Sequence, residues 1–199
     1  MQNMPNMLAY TIQSGMSSGS SPFIVVGQGG DKVHLKPQNP QDDSYWIVIL
    51  DASNPKHRVK EFIVPGSNVT TVPAGLDDYM KNPAYIFAVV TQFLNTLHVP
   101  QGAFYQYLLK YGADRELQRL EQINTTLSCG TYGRMSYILT GPCGPRDPGR
   151  KRDLTKERPP YRGYEFGSYR HSALALLSLM PHGNPPHYTI CDHNTFVGG

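Results

Sequence analysis

The sequence predicts an α+β protein with a compact, mostly antiparallel β-sandwich-like core, two or three flanking helices and an irregular C-terminal arm. Short apolar runs of strand length recur along the chain and are separated by turn signals rich in Gly, Pro, Asn and Ser. Residues 101–122 carry apolar side chains spaced by three or four, which is typical of a helix. The composition changes after residue 141. We therefore predict a β-rich domain over 1–141 and a basic extension rich in Pro, Gly and Tyr over 142–199.

The apolar runs predict the strands. Tyr45–Leu50 is continuously apolar, as in a strand buried on both faces. The turn signal of residues 51–55 follows it, so Val59–Val64 is predicted to return as the second strand of a hairpin. Two further runs of the same character are Tyr85–Thr91 and Met135–Thr140. The shorter strand predictions lie near the N-terminus, at Leu8–Gln13, Phe23–Val26 and Lys32–Lys36.

The helix predictions rest on breakers and spacing. Leu76–Lys81 is predicted as a short helix that ends before Asn82 and Pro83. The neighbouring acids Asp77 and Asp78 lie at the start of that helix, where negative charge interacts favourably with the positive N-terminal end of the helix dipole. We therefore interpret them as structural and not as a catalytic carboxylate pair. Gly112 is expected to divide the 101–122 stretch into two helices. In the extension, Arg170–Met180 is predicted as a short helix.

Composition excludes several classes of protein. Hydrophobic residues at 39% and aromatic residues at 11% suffice for a core, so the chain is not disordered as a whole. The net charge of +3 is too small to indicate a polyanionic partner. No run approaches the roughly 20 apolar residues of a membrane span, and no basic segment precedes an apolar one at the start. We therefore expect no membrane association and a cytoplasmic or particle-associated (virion) location.

The three cysteines do not form a recognisable framework. The chain has three cysteines, which are Cys129, Cys143 and Cys191, and no two of them form a CxxC motif. The odd number and the missing motif argue against a disulfide scaffold or a zinc knuckle. A pair between Cys129 and Cys143 stays open.

The extension carries the positive charge of the chain. Residues 142–170 hold eight Lys and Arg against four Asp and Glu. Basic and aromatic residues alternate there as on some nucleic-acid surfaces, but the acids interrupt them and no nucleic-acid motif is present. We therefore expect residues 142–199 to contact protein partners or copies of the same chain, not nucleic acid. The residues concerned are Arg150, Lys151, Arg152, Tyr161, Tyr164, Phe166 and Tyr169.

The densest group of reactive side chains lies near the C-terminus. A thiolate nucleophile needs an imidazole base, and zinc needs four nitrogen or sulfur ligands. His187, Cys191 and His193 are the candidate zinc ligands, with a fourth from His182 or another chain, and Asp192 lies among them. Pro185 and Pro186 suggest a rigid, extended loop. Residues that are adjacent in sequence seldom form such a site, so we predict polar contacts and no catalytic residue, metal or cofactor.

Seven segments carry a family resemblance over roughly residues 8–144. They are IVVG, KVHL, YWIVILDASNP with VKEFIVPGS, LDDYMKNP, YIFAVVTQ, FYQYLLKYGADRELQRLEQ and SYILTGPCG. In order and spacing they resemble the domain of the interleukin-like epithelial–mesenchymal transition inducer and PANDER family, which also occurs as a glycan-binding stem module in a glycosyltransferase. Phe62, Pro83, Tyr111–Gly112 and Ser136–Gly141 occupy the matching places.

The resemblance implies a lectin-like domain but does not supply a ligand site. Ile63 stands where family members commonly have Asp, and the paired cysteines of the secreted members are not reproduced. The binding residues of the family are therefore not carried over to this chain. Trp46, which could stack on a sugar elsewhere, is predicted to lie in the core.

These observations favour a non-catalytic structural or interaction protein. Its low charge and its long Pro- and Gly-rich extension suit a subunit of a larger assembly, for example a phage or other virion. One alternative is a glycan- or receptor-binding lectin-like module. The other is a Cys/His-dependent hydrolase or transferase.

Overall fold

Two antiparallel sheets lie face to face, and helices cover the far side of one of them. The computed structural model describes residues 6–127, 133–144 and 163–192. Within these ranges it confirms the predicted α+β, sandwich-like fold class.

The described residues form eleven strands and three α-helices. The strands are β1 (Leu8–Gln13), β2 (Phe23–Val26), β3 (Val33–Leu35), β4 (Ser44–Asp51), β5 (Arg58–Pro65), β6 (Tyr85–Gln92), β7 (Leu94–Asn95), β8 (Arg134–Pro142), β9 (Tyr164–Tyr169), β10 (Leu174–His182) and β11 (His187–Asp192). The helices are α1 (Leu76–Met80), α2 (Gly102–Lys110) and α3 (Arg115–Leu127). Short 3-10 helices occupy Gly29–Asp31, Gly66–Asn68 and Thr96–His98.

The strands form two sheets. The outer sheet has the order β11-β10-β1-β2-β3. The central sheet has the order β5-β4-β6-β8, and both β7 and β9 pair with β8. Its first pair is the predicted hairpin, in which Tyr45 lies opposite Val64. Every strand predicted within 1–141 is present to within two residues at each end.

The central sheet is buried on both faces, which explains its continuous apolar runs. Along β4, Trp46 and Val48 point toward the outer sheet, whereas Tyr45 and Ile47 point toward the helices. All four side chains are fully buried. Because its side chains enter both cores, β4 stabilises both of them. Burying one large apolar side chain contributes about 1.5–3 kcal/mol to the stability of the fold.

The helical layer closes the second core. Phe104 and Leu108 of α2 and Leu117 of α3 are buried against the central sheet. The two helices are separated as predicted, because Gly112 adopts a φ of 106° that other residues rarely tolerate. None of the helices in the described ranges is long and apolar enough to cross a membrane.

The prediction of a helix over Arg170–Met180 is wrong. These residues lead into β10, which pairs with β1 on one side and β11 on the other. The leucine-rich segment fits either period locally, and β1, more than 160 residues earlier, decides the outcome by offering a pairing edge. With β9 in the central sheet, the described part of 142–199 supplies three strands. The basic residues Arg150–Arg152 lie outside the described residues.

Candidate functional site

The outer sheet has one face in the core and an opposite face on which several large apolar side chains are exposed. Along β1, Tyr10 and Ile12 are fully buried against the central sheet. Strand side chains alternate between faces, so the intervening positions form the opposite surface, which we call the outer face. Its residues are Ala9, Thr11 and Gln13 of β1, Phe23 and Val25 of β2, His34 of β3, Leu174, Leu176, Ser178, Met180 and His182 of β10, and His187, Thr189 and Cys191 of β11.

Strand β10 places large apolar side chains on the outer face. Leu174 is 49% exposed, Leu176 is 61% exposed and Met180 is 37% exposed. The alternate residues Ala175, Leu177 and Leu179 are buried between the sheets. The same leucine-rich strand therefore anchors the fold with one face and presents apolar surface with the other.

The exposed apolar side chains are clustered. Five large hydrophobic side chains are exposed in the described ranges, and three of them are the β10 residues of the outer face. A fourth, Met7, directly precedes β1, which is paired with β10. Only Leu97, on the 3-10 helix Thr96–His98, lies apart. Single exposed apolar residues are ordinary, but a contiguous group typically marks an interaction site.

The outer face also lacks formal charge. None of its residues is Lys, Arg, Asp or Glu. Its three histidines are His34, His182 and His187, and His182 Nε2 lies 2.8 Å from Thr189 Oγ1. By contrast, the edge strand β5 carries Arg58, Lys60 and Glu61, the kind of charge that opposes strand association.

The predicted His/Cys group does not form a compact site in the described residues. His187 and Cys191 share the outer face of β11, but they are four positions apart along the strand, which places their Cα atoms about 13 Å apart. His182 lies opposite His187, and Cys191 lies opposite Ser178. Residues 183–186 form the turn of the β10–β11 hairpin instead of an extended loop. In the described ranges, no three His, Cys, Asp or Glu stand close enough to hold a metal, and His193 lies outside those ranges.

Both described cysteines are free thiols. Cys143 is buried, its Sγ lies 3.9 Å from Met80 Sδ, and burial raises the pKa of its thiol to about 12. Such a thiol is a poor nucleophile at neutral pH. Cys191 is half-buried on the outer face. Cys129 lies outside the described residues.

Trp46 lies in the core, as predicted. It is fully buried, and its indole Nε1 donates to the Glu61 carboxylate at 3.0 Å. Its ring is therefore occupied by packing and is not a surface platform for a sugar.

A polar junction that sequence reasoning missed joins β4 to the 3-10 helix at residues 96–98. His98 Nδ1 lies 2.7 Å from Asp43 Oδ2, and the Asn95 N–H donates to Asp43 Oδ1 at 2.9 Å. Asp43 has a φ of 57°, a left-handed conformation that Asp tolerates better than most residues. These contacts hold a strained turn in place, which is a structural role.

Comparisons with known proteins add no family. A scan against protein-family models finds no match, and a search of curated proteins finds none either.

Proposed function

We propose that this protein is a non-catalytic structural or interaction protein that associates with copies of itself through the outer face. The supporting observation is the exposure of Leu174, Leu176 and Met180 together on a sheet face without formal charge. In water, covering these side chains would be favourable in proportion to the apolar area removed.

The chemistry of the outer face fits a second copy of the chain. In a dimer with two-fold symmetry, the same patch of each copy forms the interface. A charged side chain near the symmetry axis would therefore lie close to the identical charge of the other copy and repel it. The outer face has no Lys, Arg, Asp or Glu that would repel in this way. Charge-depleted centres are also typical of protein interfaces.

The size of the outer face suits a dimer of moderate affinity. Five strands spaced about 4.8 Å apart, with about six residues each at 3.3 Å, give a projected area on the order of 500 Å². Standard interfaces bury about 800 Å² per partner. We expect reversible association, strengthened where further contacts are made in a larger assembly such as a virion.

The proposal keeps the expectation that residues 142–199 make the contact. Strands β10 and β11 come from that part of the chain and provide eight of the fourteen outer-face residues. The contact would thus use ordered strands rather than an irregular arm.

The test is the light-scattering mass of the full-length protein across concentrations from about 5 to 200 μM. We expect a mass near twice the 22.2 kDa of one chain. Leu176→Lys should yield monomer, because the introduced lysines of the two copies would repel each other across the interface. Leu97→Lys is the matched control: Leu97 is 48% exposed but lies away from the outer face, so its variant should associate like the original protein.

Two results would overturn the proposal. One is a monomeric original protein at every concentration. The other is unchanged association of Leu176→Lys, with circular dichroism showing that both variants are folded.

A further inference from the structure

Two of the three outer-face histidines form a pair. His182 ends β10 and His187 begins β11, and the two residues lie directly opposite each other across the hairpin. Residues paired in this way on one face of a sheet have Cβ atoms roughly 5 Å apart. Both side chains are exposed. The third histidine, His34, lies on the edge strand β3 at the other side of the sheet.

The surroundings of the histidine pair offer a proton little negative charge. His182 Nε2 lies 2.8 Å from the Thr189 hydroxyl, which is a neutral partner. Beside β11, the turn after β4 carries Asp51, whose carboxylate accepts the Ser53 N–H and hydroxyl at 2.8 and 2.7 Å and is thus engaged within its own turn. The other titratable groups of the neighbouring elements are Cys191 on the outer face, Tyr188 and Asp192 on the opposite face of β11, Tyr10 on the core face of β1, and Lys56 and His57 in the turn after β4.

The surroundings of His34 are mainly basic. The charged residues near it in sequence or beside β3 are Asp31, Lys32, Lys36, Arg58 and Glu61. Glu61 forms an ion pair with Arg58 at 3.0 Å. A proton on His34 would therefore add to an existing excess of positive charge.

Mild acid changes the charge of the outer face. Histidine is the side chain that ordinarily gains its charge between pH 8 and pH 5. Neutral imidazoles leave the outer face without formal charge, whereas protonated ones give it up to three positive charges. A charged imidazole that is covered by a second copy loses its hydration, and without an acid beside it nothing compensates that loss. Like charges directly opposite each other on a sheet also repel.

We propose that protonation of the outer-face histidines, chiefly the pair His182 and His187, dissociates the protein in mild acid. This inference rests on the self-association proposed above and adds its regulation. Because the neutral face is easier to cover than the protonated one, binding of protons and binding of a second copy oppose each other. Association is therefore stronger at pH 8 than at pH 5.5.

The test is light scattering of the full-length protein at pH 8.0 and pH 5.5 over the same concentrations, in about 150 mM salt to screen repulsion between distant charges. We expect the dissociation constant to be at least tenfold higher at pH 5.5. The double variant His182→Gln/His187→Gln cannot gain these protons and should associate nearly equally at both pH values. His57→Gln, the same change in the turn between β4 and β5, should keep the pH dependence of the original protein.

His187→Lys gives a test of opposite sign. Its side chain is charged at both pH values, so association at pH 8.0 should weaken at least tenfold. Circular dichroism at each pH shows that every variant is folded.

The proposal is overturned if the original protein associates equally at both pH values, or if the double glutamine variant keeps the pH dependence. In either case association at pH 8.0 leaves the proposed function standing. An original protein that is monomeric at pH 8.0 at every concentration removes the proposed function, and this regulation with it.

Discussion

The hydroxyl groups of Tyr10 and Thr140 meet at 3.0 Å between the outer and central sheets, although the residues are 130 positions apart in sequence. Thr140 donates its single hydroxyl hydrogen to the Phe87 carbonyl at 2.8 Å, so Tyr10 is the donor to Thr140. Both side chains are fully buried. This bond joins the two sheets, as does the Tyr164 hydroxyl of β9, which donates to the Ile190 carbonyl of β11 at 3.3 Å.

Thr140→Val should destabilise the protein more than Tyr10→Phe. The valine variant leaves the buried Tyr10 hydroxyl without an acceptor, which costs about 1–3 kcal/mol. The phenylalanine variant removes a donor, while Thr140 keeps its bond to Phe87, and should cost about 1 kcal/mol. Urea denaturation measures both. In the double variant the loss should fall short of the sum, because the two residues share one interaction. An additive double variant would refute the coupling.

Glu165 fastens helix α3 to β9 and should be important for stability. Its carboxylate accepts the Glu116 N–H at 2.8 Å, the Leu117 N–H at 3.3 Å and the Tyr137 hydroxyl at 2.8 Å. It therefore caps the first turn of α3 from a distant strand. Glu165→Ala should lower the free energy of unfolding by about 1–3 kcal/mol. Glu61→Ala is not a suitable comparison because Glu61 bonds to Trp46, so the exposed Asp31→Ala serves as control and should change stability little.

Asp42 should make stability depend on pH below about 4. The Ser18 hydroxyl, then the Gly19 N–H and the Gln92 amide, donate to its carboxylate and lower its pKa below the ordinary value of 3.8. A carboxyl with a lowered pKa in the folded state adds stability above its unfolded pKa. That stability is lost as the pH falls through the folded value. Urea unfolding at pH 5 and pH 3 should show a smaller difference for Asp42→Asn than for the original protein. An equal difference would contradict the prediction.

A fragment of residues 1–141 should not fold as the whole chain does. Removing β10 takes Ala175, Leu177 and Leu179 out of the inter-sheet core and leaves the β1 edge unpaired. We expect a collapsed or aggregated fragment with poor NMR dispersion. A monomeric fragment with the dispersed spectrum of the full chain would show that the β-rich part is independent.

The local prediction succeeded where one strand could be recognised by its own residues. Tyr45–Leu50 and Tyr85–Thr91 are apolar on both sides because both faces of the central sheet are covered, and this leaves a signal in a single segment. It failed at β10, where the leucines fit either period, and at β9, whose residues are half-buried. The two-residue strand β7 is too short to leave a pattern.

The candidate site was predicted less well than the fold. Reactive residue types drew attention to His187 and Cys191, but a strand holds residues four apart about 13 Å from each other. The outer face could not be recognised from the sequence, because exposed and buried leucines alternate within one segment. Only the pairing of β10 with β1 shows which leucines are exposed and which are buried.

The sequence by itself determined the fold class, the central strands, the short helix α1 and the break at Gly112, because hydrophobic period, turn residues and backbone constraints act over a few positions. Only the tertiary structure decided that β10 is a strand, that Leu174 and Leu176 face outward, and that Glu165 caps α3. Each of these depends on a partner tens to more than a hundred residues away, and the free energy of such contacts arises only when the chain has folded.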